Sequence, residues 1–393
     1  MNVSRSTARS PYMEWAKLQL AAKYNLATSG MISLPLAELG VKIEELEING
    51  PSIYGYDPLL KAIADRYRVP QESVVSAVGT SLANYLALAA ITEPGDEVLI
   101  EQPSYGPILD VAQYLGLTVR RFARPAEMNF ALDLADLERQ LTPRTRALVI
   151  CNLHNPSGAF IPNPVLGEVA TLARKTNTYI VVDEVYREML FEQEPQTAFH
   201  LDPERFIITN SLTKAYGLSG LRCGWLLAPS DIAERMWHIN DLHGATFAHP
   251  AELLSVIAFS KLDQISAHMK ALLDTNRALL KNFLDSRNDL DYFWPEYGTI
   301  VFPRLRTEKS SWSAAALGCA ENSLPAEGKT STSTTEEFCT MLRNDFDTSV
   351  VPGRFFETPS RFRMGVGIAT EAVKDALNQL ERALDKILSP SRP

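Results

Sequence analysis

The chain has 393 residues, 46% of them apolar, and its 38 basic and 47 acidic side chains give a formal net charge of −9. This length predicts a large globular protein of about two or three domains with ample core. The acidic balance argues against nucleic acid or a membrane surface as partner, since both need clustered lysine and arginine, and the longest apolar runs are too short to cross a bilayer.

The four cysteines, Cys151, Cys223, Cys319 and Cys339, share no CxxC spacing, so the sequence predicts no zinc framework or other metal site. The first fifteen residues lack the apolar core of a secretory signal. We therefore expect a cytoplasmic protein with free thiols, because a reducing compartment keeps cysteines unpaired.

Short β-rich runs alternate with helical patterns between about residues 59 and 227, which is typical of βαβ units around a mostly parallel sheet. The runs predict seven strands, at 73–78, 97–101, 118–122, 147–152, 179–183, 206–210 and 223–227. The gaps predict helices at 82–91, 108–115 and 163–175, the last beginning with Asn163 as a cap and Pro164 in its first turn. The fold class is therefore α/β, with a seven-stranded sheet covered by helices.

The chain after Ser230 has a long helical pattern to about Phe283, and the last hundred residues predict a smaller α/β unit. Its elements are strands at 299–302, 349–351 and 362–367 and helices at 335–344 and 371–387. The Ser- and Thr-rich stretch 310–334 has no steady period and predicts a loop insertion. We divide the chain into a large domain, 46–288, and a small domain made of segments 1–45 and 289–393.

Polar residues follow the predicted strands, and ligands of such a sheet bind beyond the carboxyl ends of its strands. Gly79, Thr80 and Ser81 could hold a phosphate through N–H groups and hydroxyls, although they also fit an ordinary turn and helix cap. Tyr105, in the loop after the second strand, could stack on a planar cofactor or simply pack against the core.

Two charged residues complete this set. Asp183 ends an apolar strand and needs a partner there, either a structural arginine or a cationic ligand. Lys214 lies in a loop of small residues. It could be an ordinary surface residue, or an amine in a closed site whose lowered pKa suits it to form a Schiff base. Together with Asn155, Tyr186 and Arg222, these side chains are what a planar, phosphorylated pyridine aldehyde requires.

The order and spacing of these residues resemble one family, the class I/II aminotransferases, which are pyridoxal-phosphate-dependent enzymes of the aspartate aminotransferase fold (fold type I). The most specific part of the resemblance is an ordered series of motifs, Asn155-Pro-Ser-Gly, Asp183-Glu-Val-Tyr186, Ser211-Leu-Thr-Lys214 and, eight residues later, Arg222. The resemblance covers nearly the whole chain.

The resemblance implies a role for each of these side chains around pyridoxal 5′-phosphate. Lys214 would hold the cofactor covalently, and Asp183 would pair with its pyridine nitrogen. Asn155 and Tyr186 would bond its phenolic oxygen, and Tyr105 would stack on its ring. Its phosphate would be bound by hydroxyl and guanidinium groups, those of Thr80, Ser81, Ser211 and Arg222.

The resemblance also implies substrate contacts and a homodimer. Arg363, rather than Arg361, would bind the α-carboxylate of the substrate, and the backbone at Gly30 would approach the substrate. Tyr54 is the candidate for a tyrosine that reaches the phosphate of the partner subunit, although family members usually have it several residues ahead of the glycine and here it immediately precedes Gly55.

These implications favour transamination between an α-amino acid and a 2-oxo acid. The stretch 236–276, where aspartate-specific members of one subgroup carry an arginine, has none and contains His243 and Thr246 instead, which favours a neutral or aromatic amino acid. A lyase or cyclising enzyme of amino-acid or natural-product biosynthesis remains an alternative, because the same cofactor serves all these reactions. A non-catalytic effector domain is disfavoured, because the segment ahead of Tyr54 has no basic recognition helix.

Overall fold

The computed structural model describes residues 9–18, 22–306 and 329–388, excluding the side chains of 329–334 and 388. The helices are α1 Pro11–Leu18, α2 Leu36–Leu39, α3 Asp57–Tyr67, α4 Gly79–Ile91, α5 Gly106–Tyr114, α6 Leu134–Gln140, α7 Asn163–Thr176, α8 Ser230–Asp241, α9 His249–Phe259, α10 Leu262–Ser286, α11 Lys329–Phe346 and α12 Thr370–Leu388. The strands are β1 Tyr24–Asn25, β2 Val74–Val78, β3 Glu97–Gln102, β4 Thr118–Ala123, β5 Thr145–Cys151, β6 Tyr179–Asp183, β7 Phe206–Ser211, β8 Cys223–Leu227, β9 Leu290–Asp291, β10 Ile300–Val301, β11 Arg304–Leu305, β12 Thr348–Ser349, β13 Val351–Pro352 and β14 Phe362–Gly365.

A seven-stranded sheet forms the centre of the fold, in the order β2-β8-β7-β6-β5-β3-β4. Strands β3, β4, β5, β6 and β7 are all parallel to one another, whereas β8 runs antiparallel to both β2 and β7. The strands β7 and β8 are buried at every residue, which explains their continuous apolar runs. The predicted α/β class and mostly parallel sheet are therefore confirmed.

The turn between β2 and α4 brings two backbone segments unusually close together. Gly79 has φ +74°, and a Cβ atom there would lie 2.3 Å from Nη2 of Arg222. A Cβ atom on Gly224 would lie 2.5 Å from the carbonyl carbon of Gly79. Only glycine fits at these positions, so the start of α4 rests directly against the loop that leads into β8.

Short strands connect the two ends of the described chain. β1 pairs in parallel with β12 through Tyr24 and Thr348, and the three-stranded sheet β10-β14-β13 lies in the C-terminal part. The domain boundaries at 45/46 and 288/289 stay a prediction. No described helix combines the length and apolar character needed to cross a membrane.

Three sequence predictions differ from the structure. Asn163 is the first residue of α7 rather than its cap, because Pro162 has the N-cap position. The helical stretch after Ser230 is three helices, α8 to α10, rather than one. Residues 310–328 of the proposed insertion lie outside the described part of the chain. Its last six residues, 329–334, belong to α11, which therefore begins at Lys329 rather than near 335.

Candidate active site

A cavity of about 240 Å³ lies where the sequence analysis expected a ligand, at the carboxyl ends of the central strands. Eight of the predicted site residues line it: Thr80, Ser81, Tyr105, Asn155, Asp183, Tyr186, Lys214 and Arg222. Three parallel strands supply much of this wall, because β5, β6 and β7 each end next to a loop that carries one of these residues or more.

Lys214 carries a half-buried amine with few partners. Its Nζ donates one hydrogen bond, to Oγ of Ser29 at 3.0 Å, and lies 6.0 Å from the ring centroid of Tyr186. Burial first of all, together with the positive charges of Arg363 and Arg222, lowers the pKa of Lys214 to about 8, while Asp183 opposes this shift. Such a lysine is neutral for a substantial fraction of the time at mildly basic pH and can act as nucleophile or base.

Gly30 lies directly against the Lys214 segment. A Cβ atom on Gly30 would lie 3.2 Å from Cδ and 3.3 Å from Cα of Lys214, and the neighbouring Met31 N–H donates to the Lys214 carbonyl at 2.8 Å. The structure therefore brings the predicted glycine against the lysine, in a space that a larger residue would fill only by moving the lysine segment.

Asp183 is a buried carboxylate, 4% exposed, at the end of β6. It accepts hydrogen bonds from Nδ2 of Asn84 and from the Val185 N–H, both at 3.0 Å. Burial raises the pKa of Asp183, and these two bonds and Lys214 lower it again. Both bonded donors are uncharged, so the carboxylate keeps its capacity to stabilise a cation in the cavity.

A group of hydroxyls and one guanidinium lies at the start of α4. Thr80 Oγ1 donates to Ser211 Oγ at 2.8 Å, and the Thr213 N–H donates to the same oxygen at 3.3 Å. The guanidinium of Arg222 lies beside Gly79, where its Nη2 donates to the Val78 carbonyl at 3.4 Å. Because the first N–H groups of a helix also favour anions, this corner suits a phosphate.

Arg363 is fully buried and contacts the site through Asn155. Its Nη1 donates to Oδ1 of Asn155 at 2.8 Å, and its Nη2 donates to Oη of Tyr12 at 3.1 Å and to the Ala27 carbonyl at 3.0 Å. The other candidate, Arg361, donates to the Phe302 carbonyl at 2.9 Å. Of the two arginines, Arg363 is the one bonded to a residue of the cavity.

The comparison with protein families decides the identity. The family model for class I and II aminotransferases matches residues 45–380. The chain belongs to this family. The predicted recognition, the pyridoxal 5′-phosphate cofactor and the assignment as a pyridoxal-phosphate-dependent aminotransferase are thereby confirmed.

Relatives in sequence and structures of the same fold have names that describe more than one activity. Capreomycidine synthase of Streptomyces vinaceus is 28% identical over 369 residues, 91% of this chain and 88% of that protein. A PLP-dependent aminotransferase from Streptococcus suis has the same fold, with a TM-score of 0.86 over 100% of both chains at 24% identity. The PLP-dependent cyclase OrfR also has this fold, with a TM-score of 0.83 over 96% of this chain and 97% of that one at 23% identity.

The residues of this aminotransferase-family cavity fit the cofactor. A phosphate needs anion-binding donors, which the corner around Arg222 offers next to Gly79, a glycine with a positive φ. A pyridine nitrogen needs a carboxylate that is not already neutralised, and Asp183 is bonded only to uncharged donors. An aldehyde needs an amine that is partly neutral, which the lowered pKa of Lys214 supplies.

Some residues of the site had no prediction from the sequence. Asn84 and Ser29 line the cavity and bond Asp183 and Lys214, and Tyr12 bonds Arg363. Asn84 had a local signal, because it is a lone amide in the otherwise apolar middle of α4.

Tyr54 is not among the residues that line the cavity of this single chain. It is 46% exposed, and its ring lies 6.1 Å from those of Trp237 and His238, which line a separate hollow with it. His243 is also exposed and packs edge-on against Tyr85 at 4.9 Å. The contact of Tyr54 with a partner subunit therefore stays a prediction.

Proposed function

We propose that the protein transfers the amino group of a neutral or aromatic α-amino acid to a 2-oxo acid. One observation carries the proposal: the Lys214 amine, with its pKa lowered to about 8, shares a cavity with the buried Asp183 carboxylate. Transamination needs a base that can take the α-proton near neutral pH and a group that stabilises a protonated pyridine nitrogen.

The proposed roles follow the contacts of each side chain. Asp183 would hold the pyridine nitrogen in its protonated form, and Asn155 and Tyr186 would bond the phenolic oxygen. Tyr105 would face the ring. The phosphate would be held by the group at the start of α4, namely Thr80, Ser81, Ser211 and Arg222.

The reaction steps fall to two residues. When bound, pyridoxal phosphate supplies an electron sink for the charge that develops on Cα of the substrate. Arg363 would orient the substrate by its α-carboxylate, with the backbone at Gly30 limiting the space beside Lys214. Lys214 Nζ would take the proton from Cα and return it to the cofactor carbon that is bonded to the same nitrogen. Hydrolysis then releases a 2-oxo acid.

The proposed substrate preference rests on charge and on aromatic side chains. No arginine occurs in 236–276, and a second substrate carboxylate buried without a cation costs several kcal/mol. Tyr105 lines the cavity, and Tyr12 packs edge-on against it with ring centroids 5.3 Å apart and also contacts Phe355. Such surfaces favour apolar or aromatic side chains.

Cyclisation or elimination is a second candidate, favoured by the match to capreomycidine synthase over most of both chains. One experiment separates the two candidates. The holoenzyme is incubated with single amino acids, with and without a 2-oxo acid, and products are identified by mass. A 2-oxo acid product together with the aminated cofactor supports transamination, whereas a cyclic or dehydrated product with unchanged cofactor contradicts it.

The same panel tests the substrate class. We expect phenylalanine, leucine or alanine to convert the cofactor at least roughly tenfold faster than aspartate, equivalent to about 1.4 kcal/mol. Faster conversion by aspartate than by all three would contradict the preference. Borohydride reduction followed by peptide mapping tests the attachment site, and reduced cofactor on any lysine other than Lys214 would overturn it.

We also propose a homodimer and a cytoplasmic location. Ile48 and Ile53 are 81% and 82% exposed close to the exposed Tyr54, and such apolar surface favours an interface between subunits. Cys151, Cys223 and Cys339 are unpaired, as is usual in a reducing compartment. Sedimentation at assay concentration tests the dimer, and loss of cofactor affinity in Tyr54→Phe without loss of dimers would support the contact across subunits.

A further inference from the structure

One edge of the Arg363 guanidinium is only half satisfied. Its Nε and Nη2 lie on the same edge of the planar group. Nη2 donates to Oη of Tyr12 at 3.1 Å and to the Ala27 carbonyl at 3.0 Å, whereas Nε is buried without a hydrogen-bond partner in the part of the chain that the structure describes. A buried N–H without a partner is costly, so the edge is suited to a further acceptor.

A carboxylate has the geometry that this edge requires. Guanidinium edges bind carboxylates through two parallel N–H···O bonds, one to each oxygen. The phenol oxygen of Tyr12 supplies one acceptor at Nη2 and nothing at Nε. A carboxylate bound to Nε and Nη2 must replace one of the two acceptors of Nη2, and the Tyr12 side chain can move away whereas the Ala27 carbonyl belongs to the backbone.

The packing of α1 keeps Tyr12 in this place. Its ring packs edge-on against Tyr105 and against Phe355, with centroids at 5.3 and 5.8 Å, and Met13 on the same helix lines the cavity. The Arg363 side chain is 0% exposed and is not among the residues that line the cavity, although its partner Asn155 is. A substrate carboxylate can therefore reach this edge of Arg363 only if the Tyr12 hydroxyl yields its place.

We propose that Tyr12 is a specificity-determining residue that competes with the substrate α-carboxylate for the Nε–Nη2 edge of Arg363. This rests on the proposed function, in which Arg363 binds that carboxylate. A bidentate carboxylate satisfies both N–H groups and displaces the single phenol oxygen. An amine without a carboxylate cannot displace it and meets Tyr12 in place. The competition therefore weakens the binding of α-amino acids and leaves that of the corresponding amines unchanged.

The test compares the affinity of the holoenzyme for 3-phenylpropionate, a carboxylate without an amino group, measured by calorimetry. Removing only the hydroxyl in Tyr12→Phe should lower the dissociation constant about fivefold, the effect of one typical hydrogen bond. The half-reaction of phenylalanine should gain by a similar factor at low concentration, while that of phenethylamine stays unchanged. Tyr12→Leu, which removes the ring as well, should shift the affinity in the same direction.

Two further variants serve as controls. Trp15→Phe changes the packing of α1 and leaves the Tyr12 hydroxyl in place, so it should leave the dissociation constant unchanged. In an Arg363→Ala background, Tyr12→Phe should have no effect on binding, because the shared edge is gone.

The outcomes separate this inference from the proposed function. If Arg363→Ala leaves the affinity for 3-phenylpropionate unchanged, the carboxylate role of Arg363 is wrong and this inference falls with it. If Arg363→Ala weakens binding but Tyr12→Phe leaves it unchanged or weakens it, only the competition is overturned. A tightening by Trp15→Phe equal to that of Tyr12→Phe would also overturn it, because loosening of α1 would then explain both.

Discussion

The loops that follow β6 and β7 contribute to two buried clusters of ionisable side chains, and the two clusters differ in how fully they are hydrogen-bonded. In the first, Glu188 accepts bonds at Oε2 from Arg66 at 2.5 Å and from Tyr216, and at Oε1 from Tyr67 at 2.7 Å. The pKa values of Tyr67 and Tyr216 lie well above the ordinary value of a phenol, mainly because both are buried and next because Glu188 is charged. Both phenols therefore remain hydrogen-bond donors.

In the second cluster, at the cavity, the charged groups have few partners. Lys214 donates one hydrogen bond, Asp183 is bonded only to neutral donors, and Nε of Arg363 has no partner within the described residues. Glu188 is two residues beyond Tyr186, and Tyr216 is two residues beyond Lys214. The same two loops thus have one part that is held in place by the fully hydrogen-bonded Glu188. An adjacent part has charged groups whose hydrogen bonds are incomplete and which are therefore available to a ligand.

The largest expected effect comes from removing the general base of the second cluster, the one at the cavity. Lys214→Ala should lower kcat by about 10⁴-fold, the upper range for removal of a general base, while cofactor remains bound through its other ligands. Steady-state kinetics and the cofactor absorbance after gel filtration measure the two quantities. Turnover within tenfold of the wild type would contradict the role of Lys214.

The next largest effect comes from removing Glu188 from the first cluster. Glu188→Ala leaves Arg66 and two phenols without their acceptor and should lower the free energy of unfolding by about 3–5 kcal/mol. The matched control is Asp65→Ala, which breaks an ion pair with Lys61 on α3 whose side chains are 67% and 65% exposed and which should change the free energy by less than about 1 kcal/mol. Equal effects in denaturant titrations would remove the distinction between the two sites.

Arg363→Ala should lower kcat/KM by about 10²-fold for every α-amino acid, because a buried hydrogen-bonded charge pair contributes about 2–5 kcal/mol. The absorbance of the bound cofactor should not change. A loss confined to one substrate in the kinetic panel would mean that Arg363 contacts the side chain rather than the shared carboxylate.

The smallest effect is a pH dependence in the cofactor-free protein. Only a neutral amine reacts with acylating reagents, and with a pKa of about 8 the labelling of Lys214 should rise about tenfold between pH 7 and 9 and then level off. Lys281, whose hydrogen bonds to Asp285 raise its pKa, should still gain reactivity at higher pH. Peptide mass spectrometry follows both lysines in one sample, and parallel profiles would contradict the lowered pKa of Lys214.

The sequence predicted the parts of the molecule whose signals are local. Each of the seven strands of the central sheet lies within two residues of its predicted bounds, because apolar β-rich runs mark buried strands. The loops after them carry Asn155, Asp183 and Lys214, and the order of these motifs identified the family.

The parts that sequence missed come from distant segments. Ser29, which lines the cavity, and Tyr12, which bonds Arg363, come from the N-terminal part of the chain, and nothing near them in sequence indicates a lysine or an arginine as partner. The division of the stretch after Ser230 into three helices had one overlooked signal, Pro250 in the first turn of α9. Tyr54 depends on a second subunit, which the pattern of one chain does not describe.

The pairing of β1 with β12 has a consequence for the order in which the enzyme is made. The Gly365 N–H also donates to the Leu26 carbonyl at 2.7 Å, which ties the segment of Ser29 and Gly30 to the segment of Arg363. A ribosome must therefore release the chain beyond Gly365 before these two segments can meet, although the central sheet ends at Leu227. The nascent protein gains its cofactor-binding loops early and its complete substrate site only after the segment of Arg363 and Gly365 has been made.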